Sequence, residues 1–89
     1  MTIKINVHQL RSHTNYRAIV EVSGNTVGQC LNHLVAQFPA IKGEIFDESG
    51  EVSANIHVFV NKESAFPEEL AKPVKDGDVI DLIPVIAGG

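Results

Sequence analysis

Cysteine is nearly missing from this chain. Cys30 stands alone among the 89 residues, which excludes an internal disulfide, a four-thiolate cluster and a four-cysteine zinc site. Basic clusters are missing as well: seven Lys and Arg are spread thinly against eleven Asp and Glu, for a formal charge of −4. Neutralising phosphates needs concentrated positive charge, so nucleic acid is not an expected partner. No apolar run approaches the ~20 residues that span a bilayer, and Met1-Thr2-Ile3-Lys4 opens a strand-like alternation instead of a signal peptide. A cytoplasmic protein with no membrane partner is expected. There is also no internal repeat, no linker and no G-x-x-x-x-G-K-S/T loop with which the chain would bind a nucleotide itself.

What is there is enough for one modest core. An apolar content of 44% is that of an ordinary globular protein, and 89 residues suffice for one domain and not for two. Ile3-Lys4-Ile5-Asn6-Val7-His8 alternates with period two, so Ile3, Ile5 and Val7 face a core while Lys4, Asn6 and His8 face out. The polar stretch Gln9 to Asn15 reads as a loop. Tyr16 to Val22 resumes the strand, with Ala18, Val20 and Val22 on one side, and the two strands form a hairpin.

Thr26 followed by Gln29 has the form of a capping box. From there Val27, Leu31, Leu34, Val35 and Phe38 lie on one face of a helix of about three turns, which Pro39 stops. Cys30 sits beside that stripe as a buried structural thiol. Gly28 costs the helix about 1 kcal/mol relative to alanine, for which close packing against the sheet is a reason. Ala40 to Asn55 is a mixed segment anchored by Ile41, Ile45 and Phe46, with a turn at Asp47-Glu48-Ser49-Gly50. A third strand covers Ile56 to Val60, with Ile56, Val58 and Val60 inward and His57 and Phe59 outward, and Asn61-Lys62-Glu63 follows as a turn without glycine.

Ser64 to Pro73 reads as an irregular crossover with a short helical turn. Asp76-Gly77-Asp78 is a tight turn, its carboxylates turn formers and not an acid–base pair, and Glu68-Glu69 belongs to a solvated face. A last strand runs from Val79 to about Val85, with Ile80, Leu82 and Pro84 toward the core and Val79, Asp81, Ile83 and Val85 on the opposite face. A lone helix after a hairpin buries its stripe only by lying across the sheet, and the right-handed crossover rule sets the later strands beside the first. The fold class is therefore α+β, a roll of one mixed sheet with one main helix across one face.

Ile86-Ala87-Gly88-Gly89 follows directly on the last strand. At a glycine frequency of about 7%, two consecutive glycines at a given place occur by chance in roughly 0.5% of chains. A free carboxylate on a bare Gly-Gly end reads as a chemical handle. Residues 86–89 are expected to be a flexible arm on a domain spanning residues 1–89. The histidines His8, His13, His33 and His57 show no close metal-ligand spacing, and no metal site is expected.

The run Val74-Lys75-Asp76-Gly77-Asp78-Val79-Ile80-Asp81-Leu82-Ile83-Pro84-Val85-Ile86-Ala87-Gly88-Gly89 resembles the end of the ubiquitin-like sulfur carriers, the ThiS/MoaD-like proteins of β-grasp fold. Ile56-His57-Val58-Phe59-Val60-Asn61 is similar to their third strand with its terminal Asn, and Thr26-Val27-Gly28 to their helix start. Leu10-Arg11-Ser12-His13-Thr14 and the long segment after the helix look more like the cysteine-synthesis carriers than the shorter thiamine-pathway ones. The small subunit of molybdopterin synthase is similar in length and ending. In place of the common Pro-Pro-Val-x-Gly-Gly, this chain has Pro84-Val85-Ile86-Ala87-Gly88-Gly89, a stiffer and more apolar arm that bears on partner choice.

The resemblance implies a β-grasp roll and a carrier that is not itself an enzyme. An E1-like adenylating enzyme would join the Gly89 carboxylate to AMP from ATP, a sulfur donor would displace AMP to leave a thiocarboxylate, and an acceptor synthase or large subunit would take the sulfur. Gly88 gives clearance, no cofactor stays bound, and ATP belongs to the activating partner. With the last strand between the first and third, Phe59, Ile83 and Val85 form an outward apolar patch that, with Ile86, would dock the partner. Three alternatives stay open: the molybdopterin synthase small subunit, a protein modifier joined to lysines, and a binding module without terminal chemistry.

Overall fold

The computed structural model describes residues 2–85, so Ile86, Ala87, Gly88 and Gly89 lie outside the described residues. Strands β1 (Ile3–Asn6) and β2 (Ile19–Val22) pair antiparallel, Ile5 opposite Val20. Helix α1 (Val27–Gln37) follows, then a 3-10 turn and the short helix α2 (Lys42–Ile45). Strand β3 (Ile56–Val60) is joined to the two-residue β4 (Glu63–Ser64), and β5 (Val79–Pro84) closes the sheet. The five strands take the order β2-β1-β5-β3-β4, with β5 parallel to β1 and antiparallel to β3. This is the mixed sheet crossed by one helix expected above, with the last strand between the first and third.

Alternation decides the two sheet faces. Ile3, Ile5, Val20, Val22, Val58, Val60, Ile80 and Leu82 all point to the helix side and are buried, and α1 answers with Val27, Cys30, Leu31 and Leu34. Each such aliphatic side chain contributes about 1.5–3 kcal/mol by leaving water. Ile41 and Ile45 are fully buried, while Val35, Phe38, Phe46 and Leu70 pack at the edge of the same core.

The start of α1 carries its own cap. Thr26 Oγ1 accepts from the Gln29 N–H at 3.2 Å, and Gln29 Oε1 accepts in return from the Asn25 N–H at 2.7 Å, one residue earlier than in the usual box. A Cβ on Gly28 would lie 3.1 Å from the Leu70 carbonyl oxygen. The close neighbour of Gly28 is therefore the crossover segment and not the sheet, because Glu69–Ala71 forms a 3-10 turn against the first turn of α1.

Other expectations are corrected. Gln9 to Asn15 is largely a 3-10 helix, His8–His13, held down by buried Leu10. The second strand begins at Ile19, leaving Tyr16 and Ala18 exposed, because the preceding residues coil around Thr14, whose hydroxyl donates to the Arg11 and Arg17 carbonyls. The last strand runs Val79–Pro84, within one residue of the expected end, and the Val85 N–H then donates to the Asn55 carbonyl at 2.7 Å. The turn Asn61-Lys62 manages without glycine by putting both residues in the left-handed region, φ 51° and 72°, as a two-residue hairpin loop requires.

Candidate functional site

The candidate site lies on the sheet face that no helix among the described residues covers. Register sets one row across it: Ile19 of β2 opposite Asn6 of β1, Asn6 beside Asp81 of β5, Asp81 opposite Phe59 of β3, and Phe59 opposite Ser64 of β4. One step further along β5, Ile83 lies opposite His57. Ile83 and Val85 are 39% and 46% exposed, whereas Phe59 is half-buried because the His57 ring stacks on it, centroids 4.5 Å apart and planes 24° from parallel. His57 is fixed in turn by a 2.8 Å hydrogen bond between Nε2 and Ser64 Oγ.

Phe59 and Ile83 thus share one face of the sheet, and Val85 follows the end of β5 where the chain leads to residue 86. They do not form an unbroken apolar surface: Asp81 and His57 are set among them. The other residues named above, Ile86, Gly88 and Gly89, lie outside the described residues.

Asp81 is the residue that sequence reasoning placed on this face without seeing its importance. It is only 2% exposed. Oδ1 is 2.8 Å from His8 Nε2, and His8 is itself held at φ 51° with its N–H on Asn6 Oδ1. Oδ2 has no hydrogen-bond partner among the described residues, and the Lys62 ammonium stands 3.6 Å away on a side chain that is 83% exposed. The available signal is an aspartate in the middle of the apolar run Val79-Ile80-Asp81-Leu82-Ile83.

The entrance to β5 is locked by Asn61 and Asp78. Asn61 Nδ2 donates to Asp78 Oδ1 at 2.9 Å, Asn61 Oδ1 accepts from the Val79 N–H at 3.0 Å, and the Asn61 N–H donates to the Val79 carbonyl. The Asn61 amide, the Lys75 N–H on Oδ2 and the nearby Lys75 and Lys72 charges hold the Asp78 carboxyl below the usual carboxylate range. Gly77 takes φ 90°, and the Thr2 N–H donates to Asp76 Oδ1, so both aspartates are turn formers. Cys30 is fully buried, and burial pushes its thiol up. No helix among the described residues is long and apolar enough to cross a membrane.

A five-stranded mixed sheet with one helix across it and a Gly-Gly sequence following its central strand defines the class of ubiquitin-like β-grasp carriers, which are not enzymes. Within that class, residues 3–89 match the ThiS family, and the chain belongs to it. It is 34% identical over 83 residues to the sulfur carrier protein CysO of Mycobacterium tuberculosis, covering 90% of this chain and 89% of that one. It is 37% identical over 71 residues to small archaeal modifier protein 1 of Haloferax volcanii, covering 79% and 78%. Among solved structures, the Amycolatopsis orientalis BexX/CysO complex holds a chain that superposes with TM-score 0.87 at 31% identity, covering 98% of this chain and 99% of that one.

Proposed function

We propose that this protein carries sulfur as a C-terminal thiocarboxylate. The observation that carries the reading is the match to a named sulfur carrier over nine-tenths of the chain, within a family match that runs through Gly88 and Gly89. A carboxylate oxygen of Gly89 attacks the α-phosphorus of ATP on an E1-like enzyme and pyrophosphate leaves. A sulfide equivalent then attacks the acyl carbon, the bond to the AMP oxygen breaks, and AMP departs. The thiocarboxylate delivers its sulfur to an acceptor synthase making cysteine or a similar small metabolite.

The chain's own part is presentation. Gly88 gives clearance in the enzyme's channel, Phe59, Ile83, Val85 and Ile86 supply the apolar contacts, and the paired β5 between β1 and β3 anchors the arm's root. The test is the intact mass after incubation with ATP, the E1-like enzyme of the same organism and sulfide. The expected gain is that of one sulfur for one oxygen, absent in a variant lacking Gly89. No gain in the full-length chain, with the fold intact, overturns the reading.

The similarity to an archaeal modifier favours a second use of the same activated terminus, an isopeptide bond to lysine. Higher-mass conjugates that require Gly89 would show it. Stable co-purification with a large pterin-converting subunit would instead assign the molybdopterin synthase role.

A further inference from the structure

We infer that Asp81 Oδ2 is the seat for one arginine side chain of the protein that docks on the open sheet face, and that Lys62 holds that place in the free carrier. The inference rests on the docking reading above and adds the chemistry of the partner.

A carboxylate oxygen buried in the middle of a sheet face normally has a donor, because desolvation without a hydrogen bond is unfavourable. Oδ1 has one in His8 at 2.8 Å; Oδ2 has none among the described residues. Lys62 satisfies the charge at 3.6 Å without bonding, and its side chain is 83% exposed. Such an exposed ammonium is loosely held and easily displaced. Geometry beside the carboxylate selects the replacement. Phe59 lies directly opposite Asp81 and carries the stacked His57 ring, so a planar guanidinium entering over Phe59 meets an aromatic surface alongside the free oxygen. Ile83 and Val85, 39% and 46% exposed, supply the apolar rim that dries the contact. The acidic balance of the chain, −4, favours a basic partner surface in the approach. Seated in this way, the arginine fixes the register of the carrier on its partner, which two aliphatic contacts alone do not.

The test uses ATP–pyrophosphate exchange by the E1-like enzyme of the same organism, with the full-length carrier as varied substrate. Asp81→Asn keeps an oxygen for His8 and puts an amide donor where Oδ2 accepted. Its KM for carrier rises roughly tenfold or more with kcat kept, as for a lost charge-assisted contact. Lys62→Ala removes the competitor, and KM falls about twofold to threefold. A KM for Asp81→Asn within twofold of the parent, or a KM for Lys62→Ala that rises, overturns the inference. If Asp81→Asn melts early, the direction of the Lys62→Ala change decides alone. Should Phe59→Ser also exchange normally, the docking reading itself falls; should Phe59→Ser fail while Asp81→Asn is normal, only the arginine seat falls.

Discussion

Two neighbouring rows of the sheet, one residue apart in each strand, have opposite characters. Val20, Ile5, Ile80 and Val60 make the row under α1, all 5% exposed or less. Ile19, Asn6, Asp81, Phe59 and Ser64 make the row on the open face, where a 49% exposed isoleucine and a 2% exposed aspartate occur together. Hydrophobic burial accounts for the first row completely. The second follows no burial rule, since it buries a charge and exposes aliphatics. Stability is thus concentrated on the helix side, and the proposed docking puts recognition on the other, so that substitutions on the two faces are expected to separate the two properties.

The largest effect falls under the helix. Leu82→Ala empties a fully buried site and costs about 2–5 kcal/mol, read as a lower urea midpoint with unchanged slope. At the rim between the faces, Asn61→Ala removes the bonds to Asp78 and Val79 and places alanine at φ 51°. A loss of about 1–2 kcal/mol is expected, with faster amide exchange at Val79.

Acid sharpens the same boundary. The folded Asp78 carboxyl titrates below its unfolded value, so the stability it supplies is fully present above an unfolded pKa of about 3.9 and is lost as pH falls through the lower folded value. Asp78→Asn removes this contribution, and its acid-unfolding curve is flatter below pH about 4 than the parent's. The smallest stability effect belongs to Ile83→Ser on the open face, below about 0.5 kcal/mol, although its KM for activation rises.

How much of this was legible in the sequence follows from the same contrast. Period-two alternation placed Ile80, Leu82, Val58 and Val60 correctly because only one arrangement buries them all. The crossover rule set β5 beside β1, while its place between β1 and β3 came with the β-grasp resemblance. Alternation assigns a face and not a depth, which is why Asp81 was put on the right side without its burial or its bond to His8 being seen. Gly28 was matched with the wrong neighbour for a related reason: the turn at Glu69–Ala71 lacks a periodic signal, and its contact with α1 is wholly tertiary. The brief β4 pairing depends on left-handed Asn61 and Lys62, and lysine gives little local hint of that conformation.

The separation of the two faces is tested most directly by Phe59→Ser, with melting temperature and carrier-dependent ATP–pyrophosphate exchange measured on one preparation. Phe59 is half-buried against His57 and outside the core, so the account predicts a melting temperature within a few degrees of the parent and a severe loss of exchange. A normal exchange rate, or a collapse of the fold comparable to that of Leu82→Ala, would contradict it.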